Sequence, residues 1–245
     1  MPENAYQIID TPRPSRWLIT CDHATNIVPD WVNGGDLGLP AAEMQRHIAH
    51  DIGAEGVALG LGAALGATVV ASRFSRLVID PNRGEQDPTL LMKLYDGTVI
   101  PANARADAAD LTRRLDRLHR PYHDAVARMA ARRDDTAICA VHSFTPQLRG
   151  RAPRPWDVAV LYAADDRLAR PFIALARAQG WTTGDNQPYS GHLPGDSIDR
   201  HALQHGRPNL LIEVRQDLIA DAAGQALWAA RLAPLLAQVL ADSAL

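Results

Sequence analysis

Two histidines and a glutamate lie at or near the ends of short apolar runs in this sequence. His23 follows the run WLITC by two residues, His142 ends the run AICAVH, and Glu213 lies within NLLIEV. Imidazole nitrogens and carboxylates are the usual protein ligands of catalytic zinc, and a nearby glutamate can act as general base for water. The sequence therefore predicts a hydrolytic metal site with His23 and His142 as ligands and Glu213 as the base.

Such residues need a sheet that brings several strand ends together. Short apolar runs alternate with helical patterns, which favours an α/β sandwich in one domain over residues 1–245. The predicted strands are Trp17–Cys21, Thr68–Ala71, Leu77–Asp80, Ala137–His142, Asp157–Leu161 and Asn209–Val214. The predicted helices are Ala41–Leu65, Pro101–Arg133 with an interruption at Pro121, Asp165–Gln179 and Ala220–Ala241. Ligands of such sheets bind beyond the strand carboxyl ends.

Arginine residues near these strand ends are candidates for binding a substrate carboxylate. Arg83 is the first candidate and Arg76 and Arg215 are further ones, because guanidinium groups bind carboxylates through paired hydrogen bonds. The segments Gln147–Pro155 and Gly184–Gly195 read as loops, and either is able to cover a site. The sequence thus predicts a small-molecule substrate that carries a carboxylate.

Composition argues against several other classes of protein. The 25 basic and 28 acidic residues give a net charge of -3, so nothing indicates binding to nucleic acid or to an anionic membrane. No apolar run reaches the roughly 20 residues that span a bilayer, and the first residues lack the pattern of a signal peptide. Cys21 and Cys139 each end apolar runs and are predicted to be buried thiols. We expect a soluble cytoplasmic protein of undetermined oligomeric state.

Several motifs resemble those of the N-formylglutamate amidohydrolase family. These are CDHATNIVP, HIAHDIGAEGVA, SRFSRLVIDPNR, PYH, VHSFTP and LLIEVRQDL, in order from about Leu18 to Leu218. The resemblance implies a mixed, mostly parallel sheet flanked by helices, similar to phosphorylase/hydrolase-like folds, zinc carboxypeptidases and aspartoacylase-like deacylases. It also implies hydrolysis of N-formyl-L-glutamate to formate and L-glutamate, a step of histidine degradation, with one zinc ion as cofactor.

The resemblance also implies roles for individual residues. His23 and His142 take the two histidine ligand positions, and Glu213 takes the place of the general base. Asn82 and Arg83 resemble the pair that grips the substrate carboxylate. The motif PYH makes His123 a candidate substrate contact, and His201 corresponds to a family histidine that polarises the carbonyl or assists proton transfer.

The third metal ligand is the point at which this sequence departs from its wider superfamily. Where a His-x-x-Glu motif is expected, the chain has His23 followed by Asn26, a neutral and weaker oxygen ligand. Asp51 is the preferred replacement, because the family shows an acid there. Asp22 is the other candidate, or else a partner that orients the His23 imidazole, since adjacent residues of an extended strand point to opposite sides.

Other histidines have the spacing of a shared helix face. His47 and Asp51 are four residues apart and either line the site or form a surface pair. His119 and His123 have the same spacing, but no glutamate follows His119, so they lack the metalloprotease arrangement. We interpret His119 as a helix-surface or packed residue.

The leading hypothesis is a metal-dependent amidohydrolase for a small N-acyl amino acid, with N-formyl-L-glutamate as the named candidate. One rival is a non-catalytic module that senses a carboxylate ligand in the same crevice, which the neutral Asn26 favours. A second rival is a hydrolase for a different N-acyl amino acid or a short peptide. Stoichiometric metal separates the enzyme from the sensor.

Overall fold

A seven-stranded mixed sheet forms the centre of the molecule. The computed structural model describes residues 5–9, 15–191 and 193–243. The strands are β1 (Tyr6–Ile9), β2 (Trp17–Cys21), β3 (Thr68–Ser72), β4 (Leu94–Tyr95), β5 (Thr98–Val99), β6 (Ala137–Phe144), β7 (Val158–Leu161), β8 (Thr183–Asp185) and β9 (Asn209–Arg215). The sheet order is β1-β3-β2-β6-β9-β7-β8, and β4 and β5 form a separate hairpin. Only the β1–β3 and β7–β9 pairs are antiparallel among the described pairs of this sheet, so the predicted mixed, mostly parallel sheet is confirmed.

Helices cover both faces of this sheet. They are α1 (Ala41–Met44), α2 (Ala54–Leu65), α3 (Pro101–Ala104), α4 (Ala108–Arg114), α5 (Arg120–Ala130), α6 (Ala169–Ala178), α7 (Ser197–His201) and α8 (Ala222–Asp242), and a π-helical turn joins α4 to α5. Helices α2, α6 and α8 pack on one face, and α5 and α7 lie on the other. No helix of the described residues is both long and apolar enough to cross a bilayer.

Strand alternation sends the polar strand ends to one face. On β9, Ile212 and Val214 pack into the core beside α2 and α8, whereas Leu211 packs into the core on the α5 side. Because side chains alternate along a strand, Glu213 shares the face of Leu211. Val141 of β6 belongs to the first core, so His142 also lies on the α5 side. The sheet thereby places His142, the predicted ligand, and Glu213, the predicted base, on the same face.

The single helix predicted over Ala41–Leu65 is wrong. The structure has α1 at its start and α2 at its end, with turns between them that hold Asp51. Gly53 ends the turn with φ of +78°, and a Cβ there would lie 2.0 Å from the Ile219 carbonyl oxygen. The backbone N–H of Asp51 instead donates to the His23 carbonyl at 2.9 Å. Long-range hydrogen bonding therefore overrides the helical pattern.

The strand predicted over Leu77–Asp80 is also wrong, because this buried segment forms turns. Side chains, in place of a neighbouring strand, satisfy two of its backbone carbonyls. Asn103 donates to the Leu77 carbonyl and Arg114 donates to the Val78 carbonyl, each at 2.7 Å. An apolar run can thus be buried without a strand when side chains supply the missing donors.

The other predicted strands and the helices predicted over Asp165–Gln179 and Ala220–Ala241 are confirmed with shifted ends. The helix predicted over Pro101–Arg133 is divided into α3, α4, the π-helical turn and α5, and its non-helical break lies at residues 105–107, not at Pro121, which belongs to α5. Residues 147–155 form a loop as predicted, and the predicted loop at Gly184–Gly195 begins after β8 and includes residue 192, which lies outside the described residues. Cys21 and Cys139 are buried and free, as expected.

Candidate active site

Three buried side chains converge at the carboxyl ends of β2 and β6. His23 follows β2, His142 belongs to β6, and Asp51 lies in the turn before α2. One ligand atom from each of these residues lies within 4.8 Å of the other two. Asp51 is therefore brought to the histidines although its predicted helix is absent.

The distances within this group resemble those of a metal site. The Asp51 Oδ2 atom lies 3.3 Å from His23 Nδ1 and 2.8 Å from His142 Nδ1. Two ligand atoms of a tetrahedral zinc site, with bonds of about 2.0–2.1 Å, are about 3.3 Å apart. The distances from Oδ2 to the two Nδ1 atoms are thus close to the spacing that such an ion requires.

The opposite nitrogen of each imidazole faces another buried carboxylate. Asp80 Oδ1 lies 2.7 Å from His23 Nε2, and Asp22 Oδ2 lies 3.5 Å from His142 Nε2. Carboxylates in this position fix the ring orientation of ligand histidines and make them better donors to a metal. Asp22 therefore faces His142, where the sequence suggested His23. The sequence predicts no such role for Asp80, which lies in the motif SRFSRLVIDPNR.

The group carries an excess of negative charge. Asp22, Asp51 and Asp80 are all buried, and Arg76 supplies one compensating guanidinium through contacts of 2.8 Å to Asp80 and 3.4 Å to Asp51. With both imidazoles neutral, as metal ligands must be, three carboxylates against one guanidinium leave a formal charge of two minus. Since buried charge is costly unless compensated, this balance favours a dication.

The ionisation of these groups follows from their contacts. Burial alone would raise the pKa of Asp51, but the charge of His23 and the hydrogen bond with His142 hold it well below its usual value. Burial opposes charge on His142 as well, yet the neighbouring Asp22 carboxylate and the hydrogen bond with Asp51 raise its pKa well above the ordinary value. A site that stabilises a proton in this way also suits a metal cation.

Glu213 stands beside this group. In the parallel pairing of β6 and β9 it is the direct partner of His142. It is buried, and its Oε2 atom has no hydrogen-bond partner among the described residues. Burial raises its pKa to about 7, which is near the value that suits a general base at neutral pH.

A cavity of about 310 Å³ opens over these residues. Seven predicted site residues line it, namely His23, Asp51, Arg76, Asn82, Arg83, His142 and Glu213. Sequence reasoning missed Asp196, Tyr189 and Tyr95 in the lining, although Tyr189 belongs to the segment predicted as a covering loop. His47 also lines the cavity, but from a turn and not from the predicted helix.

The two arginines that line the cavity differ in their ion pairs and hydrogen bonds. Arg76 is buried and held by Asp51 and Asp80. Arg83 uses Nε for Thr89 and Nη1 for the Asn82 carbonyl, and its Nη2 group makes no hydrogen bond with the described residues. Arg83 is therefore the better placed of the two to meet a ligand carboxylate.

The cavity lining does not include three of the predicted site residues, namely His123, His201 and Arg215. His201 Nε2 lies 2.8 Å from His123 Nδ1, and both side chains are buried. Arg215 bonds to Asp217 at 2.8 Å and contacts Asp157 at 3.4 Å. The placement of these side chains does not support the direct substrate contacts expected from the sequence.

Two further residues have roles that differ from the sequence interpretation. The Asn26 side chain donates to the Met44 carbonyl at 2.9 Å, whereas Asp51 contacts both histidines of the site. The Tyr122 hydroxyl donates a short hydrogen bond to Asp22. The motif PYH therefore contributes Tyr122 to the support of the site, where the sequence singled out His123.

Comparison with known proteins gives a consistent result. The family model for N-formylglutamate amidohydrolase matches residues 15–220. A gene product of Agrobacterium tumefaciens with a crystal structure is 34% identical, with a TM-score of 0.91, and the match covers 98% of this chain and 96% of that one. The N-formylglutamate amidohydrolase of Ralstonia eutropha shares the fold, with a TM-score of 0.67, 20% identity and 98% of each chain covered. No curated protein sequence matches at a significant level.

Proposed function

Because this chain belongs to the N-formylglutamate amidohydrolase family, we propose that it hydrolyses the amide bond of a small N-acyl amino acid with the help of a divalent metal. N-formyl-L-glutamate is the leading candidate substrate, and zinc is the leading candidate ion. The observation that carries the proposal is the convergence of His23, Asp51 and His142 beside Glu213 at one cavity.

The donor set fits a zinc ion, because two imidazoles and a carboxylate are typical ligands of catalytic zinc. His23, Asp51 and His142 would hold it, and a bound dication would polarise the acyl carbonyl and make water more acidic. Asp80 and Asp22 orient the two imidazoles from behind. Arg76 fixes Asp51 and Asp80 and so keeps the ligand carboxylate in place.

The chain itself supplies the proton transfer and the grip on the substrate. Glu213 accepts a proton from water as the oxygen attacks the acyl carbon, and then delivers it to the amine nitrogen as the C–N bond breaks. The products are a carboxylate and a free amino acid. Arg83 and Asn82 hold the α-carboxylate, for which the Nη2 group of Arg83 is available.

The direct test is release of formate from N-formyl-L-glutamate by zinc-loaded protein. We expect Glu213→Gln to lower kcat by at least about a thousandfold while zinc binding persists, because the amide cannot accept the proton. Glu55→Gln, at a surface residue paired with Arg73, is the matched control and keeps full activity. Metal-loaded wild type without activity on a panel of N-acyl amino acids contradicts the proposal.

A second candidate is hydrolysis of an N-acyl amino acid with an apolar side chain. Phe144, Leu161, Leu193 and Leu211 all line the cavity, and its volume of about 310 Å³ suits a small ligand. Comparing kcat/KM for N-formyl-L-leucine and N-formyl-L-glutamate decides between the two. A non-catalytic carboxylate sensor is the remaining alternative, and it predicts ligand binding without stoichiometric metal or turnover.

A further inference from the structure

The Asn82–Arg83 segment is held from behind by a buried histidine. His119 Nε2 lies 2.9 Å from the Arg83 carbonyl oxygen, and the His119 side chain is 0% exposed. Since a carbonyl only accepts, Nε2 must carry the hydrogen and donate it. Burial lowers the pKa of His119, which keeps the ring neutral and the donor in place at neutral pH.

A break in helix geometry brings His119 to this position. The turn Leu115–His119 is π-helical, and the N–H of Arg120 bonds to the carbonyl of Leu115, five residues earlier. Pro121 follows at once, and in a regular α-helix its ring would clash with the carbonyl of residue 117. The wider turn relieves this clash. Such π-turns often occur at functional sites.

The Asn82–Arg83 segment has further restraints on its other sides. The Asn82 N–H donates to Asp80 at 2.9 Å, and Asn82 Oδ1 accepts from the backbone N–H of Ser197 at 3.2 Å. Gly84 packs so closely on the loop before α7 that an added Cβ would lie 3.1 Å from the Pro194 carbonyl oxygen. The backbone of Arg83 itself has two restraints: its N–H donates to the Asp80 carbonyl at 3.2 Å, and its carbonyl accepts from His119 at 2.9 Å.

We infer that His119 is a positioning residue that sets the backbone of Arg83 and thereby aims its guanidinium at the substrate carboxylate. The inference rests on the proposed function, in which Arg83 binds that carboxylate. A carboxylate held equally in the ground state and the transition state contributes to KM and not to kcat. Loss of His119 therefore raises KM and leaves kcat nearly unchanged.

Two isosteric substitutions separate this role from simple packing. The amide nitrogen of glutamine can take the place of Nε2, whereas that of asparagine reaches only the place of Nδ1. We expect His119→Asn to raise KM about tenfold, the effect of losing one buried hydrogen bond, and His119→Gln to stay within about threefold of wild type. Equal KM values for both variants and wild type, in folded protein, overturn the inference.

Leu118→Ala is the control for stability. Leu118 is buried next to His119, but its aliphatic side chain cannot form a hydrogen bond with Arg83, so the substitution should lower Tm and leave KM unchanged. A double-mutant cycle with Arg83→Ala adds a second test. If His119 acts through Arg83, His119→Asn has no further effect on KM in that background. A full tenfold effect in both backgrounds contradicts the inference.

Binding of L-glutamate, measured by calorimetry on the zinc-loaded protein, keeps this test distinct from that of the enzyme function. If the wild type hydrolyses no N-acyl amino acid, the proposed function fails, but weaker L-glutamate binding in His119→Asn than in His119→Gln still supports the positioning role. If wild type binds no L-glutamate, or if both variants bind it as wild type does, the positioning role fails as well.

Discussion

This molecule has two buried groups of histidines, which differ in the side chains that surround them. The first, named the metal cluster for the ion that we propose it binds, comprises His23, Asp51 and His142 with the supporting carboxylates Asp22 and Asp80. The histidine cluster comprises His119, His123 and His201, whose neighbouring rings lie with centroids 4.4 and 5.1 Å apart. All of these histidines are at least 96% buried, with exposures between 0% and 4%.

The two clusters respond to burial in opposite ways. Within the histidine cluster burial dominates, so the pKa of His123 is well below its usual value and that of His201 falls to about 4. Within the metal cluster, contacts with Asp22 and Asp51 outweigh the same effect at His142. Carboxylate partners, more than the histidines themselves, therefore decide which cluster can hold a cation.

Removing the shared carboxylate of the metal cluster should have the largest effect. We expect Asp51→Asn to weaken zinc binding by more than about a hundredfold, because a charged ligand that contacts both histidines becomes neutral. Competition with a chelating dye measures this. Asp221→Asn at the start of α8 is the control, since asparagine also caps helices. Undiminished zinc affinity in Asp51→Asn would remove Asp51 from the ligand set.

Neutralising a supporting carboxylate should have a smaller effect on the same measurement. Asp22 faces His142 and accepts from Tyr122, and Asp22→Asn should weaken zinc binding by roughly 10- to 100-fold. Asp185 accepts from Tyr162 in a similar pair outside the site, so Asp185→Asn is the matched control. Equal zinc affinities of the two variants would show that Asp22 does not act through His142.

Asp196 shows how burial changes the pKa of a carboxylate outside the metal cluster. It caps α7 by accepting from the Asp199 N–H at 2.7 Å, and burial raises its pKa from the ordinary 3.8 to about 6. The folded state therefore favours the protonated form. Its contribution to stability is complete below about pH 4 and is lost as the pH rises through 6.

Asparagine cannot ionise and still caps a helix. We expect Asp196→Asn to be more stable than wild type by about 2 kcal/mol at pH 8, with the difference vanishing near pH 4. Urea unfolding of metal-free protein at the two pH values measures it. A difference that does not change with pH would mean that Asp196 titrates normally in the folded protein.

The smallest effect is expected at His201, a member of the histidine cluster that makes no hydrogen bond with Arg83. His201→Asn should leave zinc affinity unchanged and kcat/KM within about threefold, because no carboxylate bond is lost and the group lies outside the cavity lining. Elemental analysis and steady-state kinetics check this. A loss of bound zinc in His201→Asn would contradict the conclusion that only the metal cluster binds the cation.

Part of the site was predictable because strand ends are local features. His23, His142 and Glu213 end or follow apolar runs, and parallel strands bring such ends to one edge. Asp51 was predicted through the family motif and not through its element, since the helix assigned to it is a turn. That turn depends on a bond to His23 from 28 residues away, which no local pattern reveals.

The support of the site was not predictable for a similar reason. Asp80 was noted in its motif, but its contact with His23 joins residues 57 positions apart. The turn at Leu77–Asp80 depends on donors from Asn103 and Arg114, so its apolar pattern alone favoured a strand. His119 and His123 have the helical spacing of a metal face, yet they bond to the Arg83 carbonyl and to His201 instead of to carboxylates, and burial lowers the pKa of both.

Because His142 pairs with Glu213, insertions and deletions should be tolerated in loop 147–155 but not within β9. The two residues are direct partners on parallel strands, and the neighbours of Glu213 point into the apolar layer beside α2 and α8. A one-residue deletion within β9 would turn the base toward that layer and an aliphatic side chain toward the cavity. Loop 147–155 has no such alternation, so evolution can lengthen or shorten that loop while the reacting groups keep their spacing.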